Sequence, residues 1–243
     1  MAFKSAIYKS LVRSVEGVAH RVLIGINWTA VEGSKGTGLC HTAVRGSNGC
    51  RDLPDSGNYC GRKLQDLSQM IFSDNPFEKS IAFAAINAHY NRYDLKGDPI
   101  NGLELAKSHG ADTVIIGRFP DIDNRLPRAK VVDRGFNLNY YPEESAKMLL
   151  PKAQNVIITG SALSNGSLPR LLRLSKKAFT TLVGPSAPFS QILFEYGVDA
   201  ISGFVVSDTN KAIKTIMEGG ATRALQSCGQ KFTIFRTDPA PRN

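Results

Sequence analysis

Cysteine and histidine side chains lie close together in one short stretch, where they could bind a soft metal or form a disulfide. Three of the chain's four cysteines are Cys40, Cys50 and Cys60, and His41 follows the first of them. Their spacing lacks the paired C-x-x-C ligands that closed zinc sites normally use. Cys40 and His41 would point to opposite faces of a strand, so they are poorly placed to share one metal. Between Cys50 and Cys60, a disulfide or a shared soft metal stays open.

Glycines, hydroxyls and an amide follow three apolar runs that are typical of buried strands. In an open α/β sheet, ligands bind outside the carboxyl ends of the strands, where glycine allows close approach and free N–H groups favour anions. Ordinary strand-to-helix turns use the same residue types, but three such turns on neighbouring strands predict a small polar pocket. The candidate ligand-binding residues are Arg118, Phe119, Thr159, Ser161, Asn165, Gly184, Pro185 and Ser186.

A second candidate cluster lies in a predicted hairpin. Asn27 and Thr29 would share one face of its first strand, Glu32 falls at the glycine-rich turn, and Thr37 opens the second strand. A carboxylate beside glycines could bind a metal, act as a general base, or accept hydrogen bonds from nearby N–H groups, the last being commonest. Glu78 is the other candidate catalytic carboxylate, although its place in the first turn of a helix is also explained by the helix dipole.

The well-known catalytic and nucleotide-binding motifs are absent from the sequence. It has no G-x-G-x-x-G, no P-loop G-x-x-x-x-G-K-[ST] and no G-x-S-x-G. Its four histidines show neither H-x-x-x-H nor H-E-x-x-H spacing. A dinucleotide, a P-loop nucleotide, a hydrolase elbow and a conventional zinc enzyme are therefore disfavoured.

The elements that must position these residues differ between the two halves of the chain. An amphipathic start, a hairpin formed by residues 21–31 and 37–44, and helices over 64–70 and 76–91 indicate a small α+β domain. Residues 98–243 instead alternate short apolar runs with amphipathic helices, which predicts a mostly parallel sheet covered on both faces. The expected fold class is α/β, with domains over 1–97 and 98–243 and the boundary near Gly97-Asp-Pro99.

Composition narrows the partners. The net charge of +9 favours an anionic partner, but the basic residues are dispersed and no nucleic-acid-binding motif appears, so a small anionic ligand is preferred to nucleic acid. No apolar run approaches the roughly 20 residues of a membrane helix, and no uninterrupted apolar leader opens the chain. Sparse cysteines favour a reduced, cytoplasmic location. A homo-oligomer is left open.

Several of these motifs together resemble one uncharacterised prokaryotic family, described as "putative heavy-metal chelation" proteins. The shared motifs are Asn27-Trp-Thr-Ala-Val-Glu32, Gly36-Thr-Gly-Leu39, Ser80-Ile-Ala-Phe-Ala-Ala-Ile-Asn-Ala88, Thr159-Gly-Ser161, Asn165-Gly-Ser167, Gly184-Pro-Ser186 and Glu218-Gly-Gly220. The resemblance implies an enolase-N-terminal-like domain followed by a Rossmann-like domain, with the motifs around the cleft between them. It adds Glu218 to the candidate ligand-binding residues. It also implies that Asn27, Glu32 and Thr37 face the strand-end residues across that cleft.

Three functions are compatible with these observations. The first is a cytosolic protein that binds a metal ion, a metal chelate or a metal-cofactor precursor in the interdomain cleft, in which case the cofactor is a divalent metal ion with unassigned ligands. The second is an enzyme acting on a small anionic metabolite, with Glu32 as general acid or base. The third is a non-catalytic protein that only binds a small ligand.

Overall fold

The computed structural model describes residues 2–44, 52–109, 112–135 and 138–237, and within these ranges the strands form two sheets. The strands are β1 (Arg21–Ile24), β2 (Trp28–Glu32), β3 (Thr37–His41), β4 (Thr113–Ile116), β5 (Lys130–Val132), β6 (Asn155–Thr159), β7 (Phe179–Val183), β8 (Ala200–Val206) and β9 (Gly229–Phe235). The α-helices are α1 (Ala2–Arg13), α2 (Leu64–Gln69), α3 (Pro76–Tyr90), α4 (Gly102–His109), α5 (Ile122–Arg125), α6 (Ala146–Leu149), α7 (Ser161–Ser164), α8 (Leu168–Leu174), α9 (Ile192–Glu195), α10 (Thr209–Met217) and α11 (Thr222–Leu225). Short 3-10 helices lie at Met70–Phe72, Glu143–Ser145, Leu150–Lys152 and Gln226–Cys228.

The small sheet is antiparallel, in the order β1-β2-β3. The predicted hairpin is present as β2 and β3, which pair from Glu32 opposite Thr37 to Trp28 opposite His41. Residues 21–31, predicted as the first strand of the hairpin, form two strands, β1 and β2. The backbone turns between them, where the Gly25 amide donates to the Trp28 carbonyl at 2.9 Å. The prediction that Asn27 lies on the same strand face as Thr29 is therefore wrong, since Asn27 sits in this turn.

Helix α3 is the central element of the first half. It begins at Pro76, and the Asn75 side chain accepts a hydrogen bond from the Phe77 amide at 3.0 Å, which caps the helix start. Every residue from Ser80 to Ala88 is buried. The helix is buried on nearly all sides because it packs against β2, β3 and α2.

The large sheet has the order β5-β4-β6-β7-β8-β9, with β9 alone antiparallel to its neighbour. Strands β4, β6, β7 and β8 account for the short apolar runs of this half. Asp208 caps the start of α10, where its side chain accepts from the Lys211 amide at 2.9 Å. The chain passes from β4 to β5 at one edge and then returns to β6 on the other side of β4. The carboxyl ends of β4 and β6 therefore flank a topological switch point, where open α/β sheets bind ligands.

The two halves of the chain pack directly against each other. Helix α1 contacts α8 and α9, and the Tyr8 hydroxyl donates to the Leu163 carbonyl at 2.9 Å. The predicted boundary is not a free linker, because Asp98 exchanges backbone hydrogen bonds of 2.9 and 2.8 Å with Thr233 of β9. One cluster of buried apolar residues runs from Ile7 to Phe232. The division into domains at 97/98 stays a prediction. Separately, no helix within the described residues is long and apolar enough to cross a membrane.

Candidate functional site

Two adjoining cavities open at the switch point between β4 and β6. One has a volume of about 190 Å³ and is called the cationic cavity; the other, of about 610 Å³, is called the hydroxyl cavity. Both are lined by His41, Arg118, Thr159 and Ser161, so they form two compartments of one cleft. The cleft lies between the end of β3 and the carboxyl ends of the parallel strands.

The turn after β4 brings Arg118 and Phe119 to the cleft. Gly117 has a φ of 94°, a region that favours glycine, and its amide donates to the Val132 carbonyl at 2.8 Å. A β-carbon at this position would lie 2.6 Å from Thr159 Cγ2, so only glycine lets the ends of β4 and β6 approach this closely. The sequence prediction for Arg118 and Phe119 thus rests on a turn that glycine alone permits.

The turns after β6 and β7 supply most of the polar wall. Thr159, Ser161 and Asn165 line the hydroxyl cavity, and Asn165 Oδ1 accepts from the Ser167 amide at 3.0 Å and from its hydroxyl at 2.6 Å. Gly184, Pro185 and Ser186 line the cationic cavity. Ser186 Oγ accepts a hydrogen bond from the His41 amide at 3.0 Å and thereby joins the β7 turn to β3. The structure brings together all eight residues predicted at the strand ends.

The cationic cavity has an uncompensated positive charge. Its lining includes Arg118, Arg125 and Lys231 but no Asp or Glu among the described residues. Arg125 pairs with Glu104 outside the lining at 3.5 Å, whereas neither Arg118 nor Lys231 forms an ion pair with a described carboxylate. Partial desolvation lowers the pKa of the largely exposed Lys231, and the nearby Arg125 charge lowers it further. This cavity therefore favours an anion.

The hydroxyl cavity has a different character. Six serine and threonine residues contribute to its lining: Thr42, Ser80, Thr159, Ser161, Ser164 and Ser167. Charges of both signs are present, but Glu143 accepts from Arg134 at 2.8 and 3.1 Å and from Arg170 at 3.3 Å. Asp133, the other lining carboxylate, makes no ion pair or side-chain hydrogen bond with a described residue. This compartment is suited to a ligand rich in hydroxyl groups.

Sequence reasoning missed Arg125, Asp133 and Lys231 among the residues that line the cleft, and it also missed His41. His41 ends β3, where it lines both cavities and contacts the Trp28 ring edge-to-face at 5.9 Å. Partial burial lowers the pKa of the imidazole, against a smaller raising effect of a backbone hydrogen bond. Strand alternation was the signal that could have found His41. Alternation placed it on the face opposite the buried Cys40, which is the face that the cleft uses.

The cysteines of the opening stretch do not assemble into a site in the described residues. Cys40 is buried, and burial raises the pKa of its thiol to about 12, so it stays protonated. Cys60 is exposed with a free thiol, and Cys50 lies outside the described residues. No group of three or more His, Cys, Asp or Glu side chains suited to one metal ion occurs among the residues that the structure describes.

The predicted hairpin residues lie away from both cavities. Thr29 bonds to Thr42 at 3.0 Å, Thr37 to Thr209 at 2.8 Å, and Asn27 donates to the Gly219 carbonyl at 2.8 Å. The remaining three candidates have their own surroundings: Glu32 pairs with Arg21, Glu78 accepts from the Ser73 hydroxyl, and Glu218 is exposed after α10. The structure gives five of these residues structural contacts, leaves Glu218 exposed, and places none of the six in the lining of either cavity.

Comparison with known proteins places the chain in a family. The model of the family DUF364, described as "Putative heavy-metal chelation", matches residues 101–234. The chain belongs to this family. A second model with the same description, DUF4213, matches residues 13–90. A search of curated proteins found no match.

Solved DUF364 structures share the whole architecture. A protein of unknown function from Desulfitobacterium hafniense DCB-2 is 26% identical, with 97% of this chain and 100% of that chain covered and a TM-score of 0.87. A second, from Pyrococcus horikoshii, is 22% identical, with 96% and 100% covered and a TM-score of 0.76. Both are described as having unknown function, so they support the fold and leave the chemistry to be argued from the cleft.

Proposed function

We propose that this protein binds a small anionic molecule, bearing carboxylate or phosphate groups, in the cleft between β3 and the carboxyl ends of β4, β6 and β7. The observation that carries the proposal is the cationic cavity, with three basic side chains in its lining and no described carboxylate among them. Arg118 and Lys231 have no counter-ion among the described carboxylates, so a bound anion gains direct charge attraction to both side chains. The sparse cysteines favour a cytoplasmic setting for this binding.

The family description of heavy-metal chelation is compatible with the cleft if the bound ligand, and not the protein's own side chains, coordinates the metal. The described residues offer no set of three metal-binding side chains, and the candidate carboxylates Glu32 and Glu78 are each held by another partner. Arginine and hydroxyl groups recognise carboxylates and phosphates, which are the groups that metal chelators carry. We therefore infer that a heavy metal would enter this cleft already bound by an anionic organic chelator.

Binding is better supported here than catalysis. Glu32, the predicted general acid or base, is engaged by Arg21 and lines neither cavity. His41 is the cleft group whose ordinary pKa allows proton transfer near neutrality. It lines the cationic cavity, but no carboxylate among the described residues is bonded to it and would orient it as a base.

Replacing Arg118 tests the proposal. The Arg118→Ala variant is expected to weaken binding of citrate and inorganic phosphate by about 30-fold or more, because the guanidinium borders both cavities and forms no ion pair with a described carboxylate. Isothermal titration calorimetry would measure both affinities, with citrate tested alone and as its nickel complex. The matched control is Arg92→Ala, which removes an exposed arginine paired with Asp94. Equal affinities in the two variants would contradict the proposal.

Proton linkage at His41 gives a second prediction. A bound anion beside the imidazole raises its pKa above the lowered value of the unliganded protein, so binding takes up a proton and is favoured as pH falls. Sulfate affinity is expected to increase about three- to tenfold from pH 8 to pH 6, a range in which sulfate itself does not titrate. The other charged groups lining the cationic cavity are Arg118, Arg125 and Lys231. Those lining the hydroxyl cavity are Arg118, Asp133, Arg134 and Glu143. Calorimetry with His41→Gln should give a flat profile; a retained pH dependence would assign the proton elsewhere.

A further inference from the structure

We propose that the anion of the proposed function is the phosphate of a ribonucleoside 5′-monophosphate, whose ribose lies in the hydroxyl cavity with its diol bonded to Asp133. This inference rests on the proposed function, because the phosphate would occupy the anion site at Arg118. It adds a second recognition element, the Asp133 carboxylate in the hydroxyl cavity, which inorganic anions bound at Arg118 do not contact.

The position of Asp133 in the sheet is the first argument. Asp133 follows β5 directly, and β5 pairs with β4. Numbered along the chain from β4 as the first, the five parallel strands lie in the sheet in the order 2-1-3-4-5, so β5 is the second strand. In dinucleotide-binding Rossmann domains, an acidic residue about 20 residues after the first strand-to-helix turn hydrogen-bonds the ribose 2′-OH. Asp133 occupies a comparable place and lines the hydroxyl cavity.

The availability of its carboxylate is the second argument. Arg134 follows Asp133 in sequence, but its guanidinium bonds to Glu143, as does that of Arg170. Asp133 has no ion pair or side-chain hydrogen bond with any residue that the structure describes. A partly buried carboxylate without donors among the described residues has room for further hydrogen bonds, and a vicinal diol supplies two O–H donors to it.

The size and lining of the cleft favour a mononucleotide over a sugar phosphate or a dinucleotide. The hydroxyl cavity, at about 610 Å³, has room beyond a sugar phosphate, and aliphatic groups of Val44, Pro76 and Leu171 provide apolar surface for a base. A dinucleotide is disfavoured because the turn after β4 carries Arg118, Phe119 and Pro120 where a pyrophosphate requires glycines. One phosphate at Arg118 and one nucleoside beyond it fit the two compartments.

Affinity measurements with matched ligands test the inference. By calorimetry, at least one of AMP, GMP, CMP and UMP is expected to bind about tenfold or more tightly than its 2′-deoxy counterpart and than ribose 5-phosphate. Asp133→Ala should remove the preference for ribose over deoxyribose and leave the affinity for inorganic phosphate unchanged, which also shows that the variant is folded. Asp133→Asn should retain part of the preference, and Asp94→Ala, at an exposed carboxylate paired with Arg92, should retain all of it.

The alternative outcomes separate the two proposals. Equal affinity for ribonucleotides and deoxyribonucleotides, or an unchanged preference in Asp133→Ala, would overturn the ribose assignment while phosphate binding sensitive to Arg118→Ala still supports the anion site. Ribose 5-phosphate binding as tightly as every nucleotide would replace the nucleoside by a sugar phosphate. Failure of both inorganic phosphate and nucleotides to bind the unmodified protein would overturn the anion site as well.

Discussion

The Gly38→Ala variant is expected to lose about 3 kcal/mol or more of unfolding free energy, which corresponds to a fall in Tm of roughly 6 °C or more for a chain of this size. Gly38 lies in the middle of β3, where a β-carbon would overlap the Ala84 carbonyl oxygen and the Ala88 amide of α3. Backbone atoms of a buried helix cannot move aside as a flexible side chain would. The strand must shift instead, and chemical and thermal denaturation would measure the cost.

The consequence of this change reaches the cleft, because β3 also carries His41 at its end. A displaced strand moves His41 and weakens its hydrogen bond to Ser186, so anion affinity should fall together with stability. The control is Gly57→Ala, at a φ of 89° with open space around the new methyl group, where backbone strain alone costs about 1 kcal/mol. A Gly38→Ala protein as stable as this control would show that β3 does not pack on α3 this closely.

The fold was predictable where burial is local and continuous. Strands such as β6 and β8 are buried on both faces, and short runs rich in apolar residues mark them in the sequence. Strand β9 was missed because it lies at the sheet edge with Gln230 and Lys231 exposed, and it is defined by pairing with β8. Sequence patterns do not report that kind of long-range pairing.

The candidate site was predictable only on its larger side. Carboxyl ends of parallel strands meet at one sheet edge, so the residues after β4, β6 and β7 had to converge. No comparable rule predicts which end of the antiparallel hairpin in the small sheet faces the cleft. Glu32 and Thr37 pair at the turn end of the hairpin, whereas Trp28 and His41 pair at its open end, roughly 13 Å away at strand spacing. The open end faces the cleft, which is a fact of packing between the halves that the hairpin sequence does not contain.

That packing depends on Asn91, and the Asn91→Ala variant is expected to lose about 3 kcal/mol of unfolding free energy. Asn91 follows α3 and is 1% exposed. Its amide nitrogen donates to the carbonyls of Ala187, at 3.0 Å, and Phe204, at 3.3 Å, while its Oδ1 accepts from the Phe189 amide at 2.9 Å. Truncation leaves these backbone groups of the second half buried without their partner, and denaturation curves would measure the loss.

Two further variants distinguish the hydrogen bonds of Asn91 from its volume. Asn91→Asp keeps the shape but turns a carboxylate oxygen toward two carbonyl oxygens, so it should cost at least as much as the alanine variant. Asn58→Ala changes an exposed asparagine and should stay within about 0.5 kcal/mol of the unmodified protein. A stable Asn91→Asp protein would mean that side-chain volume, and not this set of hydrogen bonds, holds the halves together. If the hydrogen bonds do hold them, Asn91→Ala should also weaken anion binding, because the cleft is built from both halves at once.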